Sequence, residues 1–339
     1  MVARSRFVSI AIRWSVGSSV TEQSTRPLIC ITGPTGSGKS SLALAVAERL
    51  PAEILSVDSM QVYRGFDIGT AKPSAAERQR IVHHGLDLVE PTEQFDAGAF
   101  LAYARDLVVQ RRAAGGQVLA VGGTGLYLRG LLYGLAPSAP SDASLRSQLR
   151  GDEQQQPGVM YRRLQEVDPE AAAQLHCNDL VRVERALEVF LLTGRPQSQW
   201  WQEHGFRSSP FAALIFAIRW PREQLRARIA QRVEQMLNAG WLEEVEDGLR
   251  AGIPDDAPAM RALGYGELRA VLRGECSLVA AQERITVLCQ RFAKRQITWF
   301  NSVPSIHWLD PEQDMVDTVL GQSRTFLVRF EQGRSGENG

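Results

Sequence analysis

Long hydrophobic runs are missing from this chain. No stretch approaches the ~20 apolar residues that a membrane-spanning helix needs, so the reading excludes one. Cysteine is scarce: Cys30, Cys177, Cys276 and Cys289 are the only four, and no pair has C-x-x-C spacing. That excludes a zinc knuckle or a disulfide framework and reads as reduced cytoplasmic thiols. An excess of charge of one sign is missing too, with 38 Lys+Arg against 38 Asp+Glu and a formal net charge of zero. A protein coated in positive charge is excluded, but a local basic channel is not. What is present is ordinary globular composition: 44% hydrophobic and 22% charged residues, which excludes a largely disordered chain. At 339 residues the chain has room for one large domain or two smaller ones.

Residues 1–26 differ from the rest. Four arginines (Arg4, Arg6, Arg13, Arg26) face a single acid, Glu22, for a net +3. Such Arg-rich, Ser-rich, acid-poor composition also occurs in organelle transit peptides. The expectation is a disordered tail or start-site extension, because Val8–Ile12 is too short for a secretory core and the folding pattern begins at Pro27.

From there strands and helices alternate. Short apolar runs at Leu28–Thr32, Glu53–Val57, Gln117–Val121 and Leu214–Ile218 read as buried strands. Helical patterns fill Lys39–Leu50, Phe95–Ala114 and Leu126–Leu132. The order predicts an α/β fold with a doubly wound parallel sheet. Between about Pro140 and Gly205 only helical patterns appear, Val181–Leu192 among them, set off by the Pro/Ser-rich segment 136–144. That predicts a P-loop α/β core over 27–140 and 206–325, interrupted by a helical insertion over 141–205. After Pro221 the pattern is helical to about Phe300.

Gly33-Pro34-Thr35-Gly36-Ser37-Gly38-Lys39-Ser40 fits G-x-x-x-x-G-K-[ST], the nucleotide-binding (ATP-binding) P-loop motif. It follows a strand and opens a helix, as the motif requires. Its glycines let the backbone wrap an oligophosphate, whose charge is met by free N–H groups and a helix N-terminus. Lys39 adds a point charge between phosphates and Ser40 offers a hydroxyl to Mg²⁺.

An acid at the end of a further strand usually holds Mg²⁺ in P-loop nucleotide hydrolases. Here Gln117–Val121 ends instead in Gly122-Gly123-Thr124-Gly125, while Glu53–Val57 ends in Asp58. A kinase could use Asp58 on Mg²⁺ or on its acceptor. A transferase that expels a whole diphosphate needs no γ-phosphate machinery and could use Asp58 as a base.

Seven blocks in register extend the pattern. After Gly33–Ser40 come Asp58-Ser59-Met60-Gln61-Val62-Tyr63-Arg64-Gly65, then Asp67-Ile68-Gly69-Thr70-Ala71-Lys72-Pro73, then Gly122-Gly123-Thr124-Gly125-Leu126-Tyr127. Further on stand Arg182-Val183-Glu184-Arg185-Ala186-Leu187-Glu188-Val189-Phe190, then Arg261-Ala262-Leu263-Gly264-Tyr265, and Lys294-Arg295-Gln296-Ile297-Thr298-Trp299-Phe300. From about residue 27 to 310 the chain resembles the tRNA dimethylallyltransferase family, in its bacterial form, since no C-terminal Cys/His finger is present.

The resemblance implies transfer of a dimethylallyl group from dimethylallyl diphosphate to N6 of adenosine-37 of tRNA. It implies that the P-loop and Arg228 hold the diphosphate, that the residue matching Asp58 deprotonates N6, and that those matching Thr124 and Arg146 lie at the reaction site and RNA contact. It further implies an insertion that grips the anticodon stem-loop, with tRNA contacts in Asp58–Gln61, Val181–Arg185, Arg261–Gly266 and Lys294–Asn301. Relatives often carry basic residues at Gly266 and Asn301, so tRNA affinity is expected to differ here. The expected setting is a cytoplasmic monomer away from membranes, with Mg²⁺ as cofactor.

Arg284, Arg291, Lys294 and Arg295 form a +4 stripe without an acid before Asp310, followed by Trp299 and Phe300. Cations beside aromatics suit RNA phosphates and stacked bases, although a solvated helix face has the same composition. His83-His84 lacks a partner at metal spacing and reads as a surface or supporting pair. Trp200-Trp201 is expected to pack the insertion, and Cys177 and Cys289 to sit in the core. Two rivals remain: a small-molecule or nucleoside kinase whose clamps are Arg182, Arg185 and Arg195, and a non-catalytic P-loop RNA binder.

Overall fold

The computed structural model describes residues 27–136, 139, 141–204, 211–303 and 305–336, with side chains to 329. The expected tail at 1–26 lies outside the described residues. Six parallel strands form one sheet in the order β3-β2-β4-β1-β5-β6: β1 Pro27–Thr32, β2 Ala52–Val57, β3 His83–His84, β4 Gln117–Gly122, β5 Ala212–Ile218 and β6 Ile306–Leu309. Every residue of β1 is buried, as befits a central strand covered on both faces.

Alternation along β1 sorts the two faces. Leu28 and Cys30 point to a layer built by α3 (Ala97–Ala113) and α4 (Gly125–Tyr133) through Phe100, Ala104, Leu128 and Leu131. Ile29 and Ile31 point the other way, to α1 (Lys39–Arg49) through Ala43 and Val46 and to α14 (Met315–Gly336) through Val319 and Leu320. Burial pushes the Cys30 thiol up to about 12, so it packs as a small neutral group.

Helix α2 (Ala75–Arg80) is opened by a capping box of Ser74 and Glu77. Helix α3 starts two residues later than its hydrophobic pattern, because Asp96 accepts the Ala99 N–H and sets the N-cap. Five helices lie between α4 and β5: α5 Ala143–Gln155, α6 Val159–Val167, α7 Pro169–Gln174, α8 Leu180–Thr193 and α9 Gln197–His204. Leu149, Met160, Leu164, Val183 and Leu187 give them a core of their own. A further layer comprises α10 (Arg222–Asn238), α11 (Trp241–Arg250), the 3₁₀ turn Ala259–Arg261, α12 (Tyr265–Leu272) and α13 (Leu278–Phe300). It clamps the loop after β2 through Tyr63, Phe66, Trp241, Tyr265 and Ile285.

Two edge strands and α14 exceed what the pattern foretold. His83-His84 is the edge strand β3, with His84 Nε2 2.6 Å from Glu53 Oε2. Cys177 corrects the expectation of a core residue: it is exposed, in the polar turn His176–Asp179 ahead of α8. Cys289 is half-buried and its thiol is pushed up to about 11 by burial. Trp200 and Trp201 are half-buried, with the Arg195 guanidinium 4.3 Å over the Trp200 ring.

Candidate active site

Strand order reverses beside β1, whose neighbours β4 and β5 come from opposite directions of winding. Ligands of open α/β sheets settle outside the strand C-termini at such a point. The P-loop leaves β1 there. No side chain caps α1, so its first N–H groups stay open to an anion. Ser37 Oγ is buried without a hydrogen-bond partner among the described residues, a polar atom that a phosphate oxygen would satisfy.

The loop is held from α10. Arg228 Nε donates to the Gly36 carbonyl at 3.0 Å, and its guanidinium lies 4.3 Å over the ring of Trp220. Trp220 Nε1 donates to the Ser37 carbonyl at 2.9 Å. Burial lowers the Lys39 ammonium to about 8, and Arg232 adds to that, while Asp58 opposes it. Arg232 is itself lowered by burial and sits in the field of Asp58. Lys39, Arg232 and Asp58 therefore share one electrostatic neighbourhood, with two cations awaiting negative charge.

Asp58 follows β2 directly. Its Oδ1 accepts the Met60 N–H at 2.9 Å, which bends the chain sharply after the strand. The Thr124 hydroxyl does not cap its own helix; it accepts the Ser59 N–H at 3.1 Å. Asp58 and Thr124 are thus joined across the ends of β2 and β4. Gln61 is fixed by accepting from Ser56 Oγ at 2.7 Å and donating to the carbonyls of Thr70 and Ala71.

Gln296 on α13 ties this arrangement together. It accepts the Thr35 N–H of the P-loop at 2.8 Å and donates to the Gly123 carbonyl at 2.9 Å. A Cβ at Gly123 would lie 2.4 Å from Gln296 Nε2, and one at Gly125 2.7 Å from the Trp299 ring, so α13 can close only over glycine.

The remaining expected residues divide by exposure. On α13, Arg284, Arg291, Lys294, Arg295, Thr298 and Asn301 are exposed, Ile297 and Trp299 half-buried, and Gln296 and Phe300 buried. Ala262, Gly264 and Tyr265 are buried, Leu263 half-buried, and Arg261 and Gly266 exposed. On α8, Val181 and Arg182 are exposed while Val183 and Glu184 are buried. Gln296, Phe300, Ala262, Tyr265, Val183 and Glu184 are thus the covered members of these expected blocks. Arg146 forms a two-pronged pair with Glu188 at 2.8 Å, Arg185 bonds the same carboxylate, and Arg150 bonds Glu184. Burial raises the Glu188 pKa, but Arg146, Arg185 and the Asp142 N–H overcome it and hold that carboxyl low. These residues lie on the inserted helices, apart from the P-loop cluster. Arg232 and Gln296's bridging role escaped sequence reasoning; Arg232 stands one turn beyond Arg228, a faint signal among the arginines of α10.

No group of three or more His, Cys, Asp or Glu side chains able to hold a metal occurs among the described residues. The available donors are hard oxygens, Ser40 Oγ and Asp58, which fit an ion that keeps waters and phosphate oxygens as ligands. No helix among the described residues is long and apolar enough to cross a membrane.

A phosphate loop at the switch point, with an acid just past β2 and no acid at the end of β4, defines a P-loop α/β protein. A model of the family described as IPP transferase matches residues 61–303 and one described as isopentenyl transferase matches 27–89. The chain belongs to this family, the tRNA dimethylallyltransferases. It is 45% identical over 284 residues to the tRNA dimethylallyltransferase of Geobacter sulfurreducens, covering 84% of this chain and 91% of the relative. Against that of Gloeobacter violaceus it is 44% identical over 309 residues, covering 91% and 100%. The solved tRNA isopentenylpyrophosphate transferase of Bacillus halodurans superposes with a TM-score of 0.67 at 32% identity, covering 92% of this chain and 99% of that one. A eukaryotic dimethylallyltransferase, captured acting on tRNA, gives 0.75 at 27% identity, covering 88% and 78%.

Proposed function

We propose that this protein transfers a dimethylallyl group from dimethylallyl diphosphate to N6 of adenosine-37 in tRNA, and that Asp58 is the base. The observation that carries the reading is the shared electrostatic neighbourhood of Asp58, P-loop Lys39 and Arg232 of α10, with Thr124 bonded to the residue after Asp58 and Arg228 bonded to the loop. The adenine amine is a poor nucleophile because its lone pair is delocalised into the ring. As N6 bonds to C1 of the allyl group, the C1–O bond breaks and its electron pair leaves with the diphosphate. The N6 proton passes to Asp58, whose Oδ2 is left free for it by the Oδ1 bond to Met60. Such a positioned base contributes about 10²–10⁴-fold in rate.

The negative charge that develops on the leaving diphosphate meets Lys39, the loop N–H groups, Ser37 Oγ and the guanidiniums of Arg228 and Arg232. Ser40, with waters and diphosphate oxygens, would hold a Mg²⁺ that supplies further charge neutralisation. The exposed stripe on α13 and the helical insertion over 141–205 track the phosphates of the anticodon stem-loop, with Arg146 and Arg185 shaping the insertion through Glu188. The test is Asp58→Asn. Expected is a folded protein with parental affinity for tRNA and donor and a turnover lowered at least a hundredfold. Loss of Mg²⁺-dependent donor binding would assign Asp58 to the metal, and near-normal turnover would remove it from the chemistry.

A further inference from the structure

Glu244 on α11 has no place in the chemistry above, yet its carboxylate is more fully engaged than a surface acid's. Oε2 accepts the N–H groups of Asp67 and Ile68 at 2.6 and 2.7 Å. Oε1 accepts the Gly69 N–H at 3.0 Å and the Tyr265 hydroxyl at 2.6 Å. Three successive backbone N–H groups converging on one anion form a nest, and here the anion is supplied by a helix remote in sequence. The approach is close enough to demand glycine. A Cβ at Gly69 would lie 2.0 Å from Trp241 Nε1 and 2.4 Å from Tyr265 Oη. Burial, and then the adjacent Glu244, raise the Tyr265 phenol.

The segment so held leads back to the site. Its far end is anchored by Lys72, whose buried ammonium donates to the Tyr63 carbonyl and pairs with Asp67 and Asp87. Between the two anchors, the carbonyls of Thr70 and Ala71 accept from Gln61 Nε2 at 3.1 and 3.0 Å. Gln61 lies in the same turn that fixes Asp58 through Met60. The segment also walls a groove of about 640 Å³, where Ile68, Ala71 and Lys72 face Arg232, Gln235 and Met236. Hydrogen bonds linked by short stretches of backbone therefore join Glu244 to the turn bearing Asp58, and the same latch sets one wall of the groove beside Arg232.

We infer that Glu244 is a positioning residue for the transfer step: by filling the nest at Asp67–Gly69 it fixes Gln61 and, through it, the carboxylate of Asp58. The inference rests on the reading of Asp58 as base. The glutamine variant keeps the shape but turns an amide N–H₂ toward backbone donors, so the latch loosens while the P-loop and α13 stay untouched. A misplacement of about 1 Å near reacting groups can cost on the order of 10²-fold in rate.

The experiment uses the full-length chain carrying Glu244→Gln, with Tyr265→Phe as a milder variant that removes one bond from the same carboxylate. Three quantities are read: the thermal midpoint, the dissociation constants of inorganic diphosphate and of tRNA, and the single-turnover rate with both substrates saturating. Expected for Glu244→Gln is a rate lowered 10- to 100-fold with both dissociation constants within twofold of the parent. Tyr265→Phe should lower the rate less, again without moving either constant. A rate within twofold of the parent in folded Glu244→Gln overturns the inference. So does a loss of rate matched by equal losses of diphosphate and tRNA binding, which marks a purely structural residue. Should Glu244→Gln fail to fold, an unaltered rate in Tyr265→Phe overturns it instead. Asp58→Asn is run alongside: normal turnover there removes the base reading, and the inference with it. A dead Asp58→Asn beside a normal Glu244→Gln removes the inference alone.

Discussion

Replacing Gln296 by alanine severs a side chain that bonds both the P-loop and the turn after β4. Two hydrogen bonds go at once. The Gly123 carbonyl is buried, and an orphaned buried acceptor costs about 1–3 kcal/mol. The Thr35 N–H is half-buried and within reach of water, so its loss is the net worth of one bond, about 0.5–1.5 kcal/mol. Together they predict about 1.5–4.5 kcal/mol of lost stability, read by urea unfolding at constant slope. The P-loop is freed on the side facing α13, so diphosphate affinity by titration calorimetry should fall as well. Gln296→Glu separates the two bonds. It keeps an acceptor for Thr35 but sets a second oxygen against the Gly123 carbonyl, so it should be no better than alanine. A Gln296→Ala protein within about 0.5 kcal/mol of the parent, the range of ordinary surface changes, and with unchanged diphosphate affinity would refute the bridge.

Three more outcomes follow from the geometry. Because free Lys39 titrates at about 8, diphosphate binding above that pH must take up a proton; affinity should drop about tenfold per unit there, relative to Lys39→Gln measured in parallel. In the empty protein the same shift opposes folding below pH 8, where Lys39 is charged in both states, and that opposition fades as pH rises toward 10.5. Glu188→Gln leaves Arg146 and Arg185 short of their buried partner and should destabilise the inserted helices by about 3–5 kcal/mol. Since the Glu188 pKa is depressed, its contribution is present above the usual carboxylate range and lost as pH falls below it; tRNA affinity should follow, with diphosphate affinity intact. Lys294→Ala and Arg295→Ala should each weaken tRNA binding and reduce its salt slope by about 1, as measured by filter binding over a salt series.

Much of the core was legible because local chemistry and fold agree. Leu28–Ile31 is uniformly apolar and, after Thr32, stops at a glycine, and it became the central strand with the loop at its end. Asp58 was marked by position, one residue past β2, where α/β sheets collect ligands, whereas Thr124, two past β4, was marked only by the family resemblance. The edges were not legible. His83-His84 is too short for periodicity to register, and Ile306–Leu309 follows a long helix with no alternation to separate it from a loop. Gln296 sits in a basic run that reads as solvated surface, and only packing turns it inward. Glu244 shares a run of acids with Glu243 and Glu246; its value lies in a nest of backbone N–H groups that no side-chain pattern encodes.

The proposed transfer requires the P-loop to serve a departing diphosphate rather than a transferred phosphoryl group. A single-turnover reaction with unmodified tRNA and dimethylallyl diphosphate, labelled in the allyl carbon and in the terminal phosphorus, tests it directly. The carbon label should appear on the tRNA and the phosphorus label in inorganic diphosphate, one to one. A parallel reaction with γ-labelled ATP should leave tRNA unlabelled. Phosphorus label on any acceptor, or carbon label that never reaches the RNA, would contradict a departing diphosphate at the P-loop.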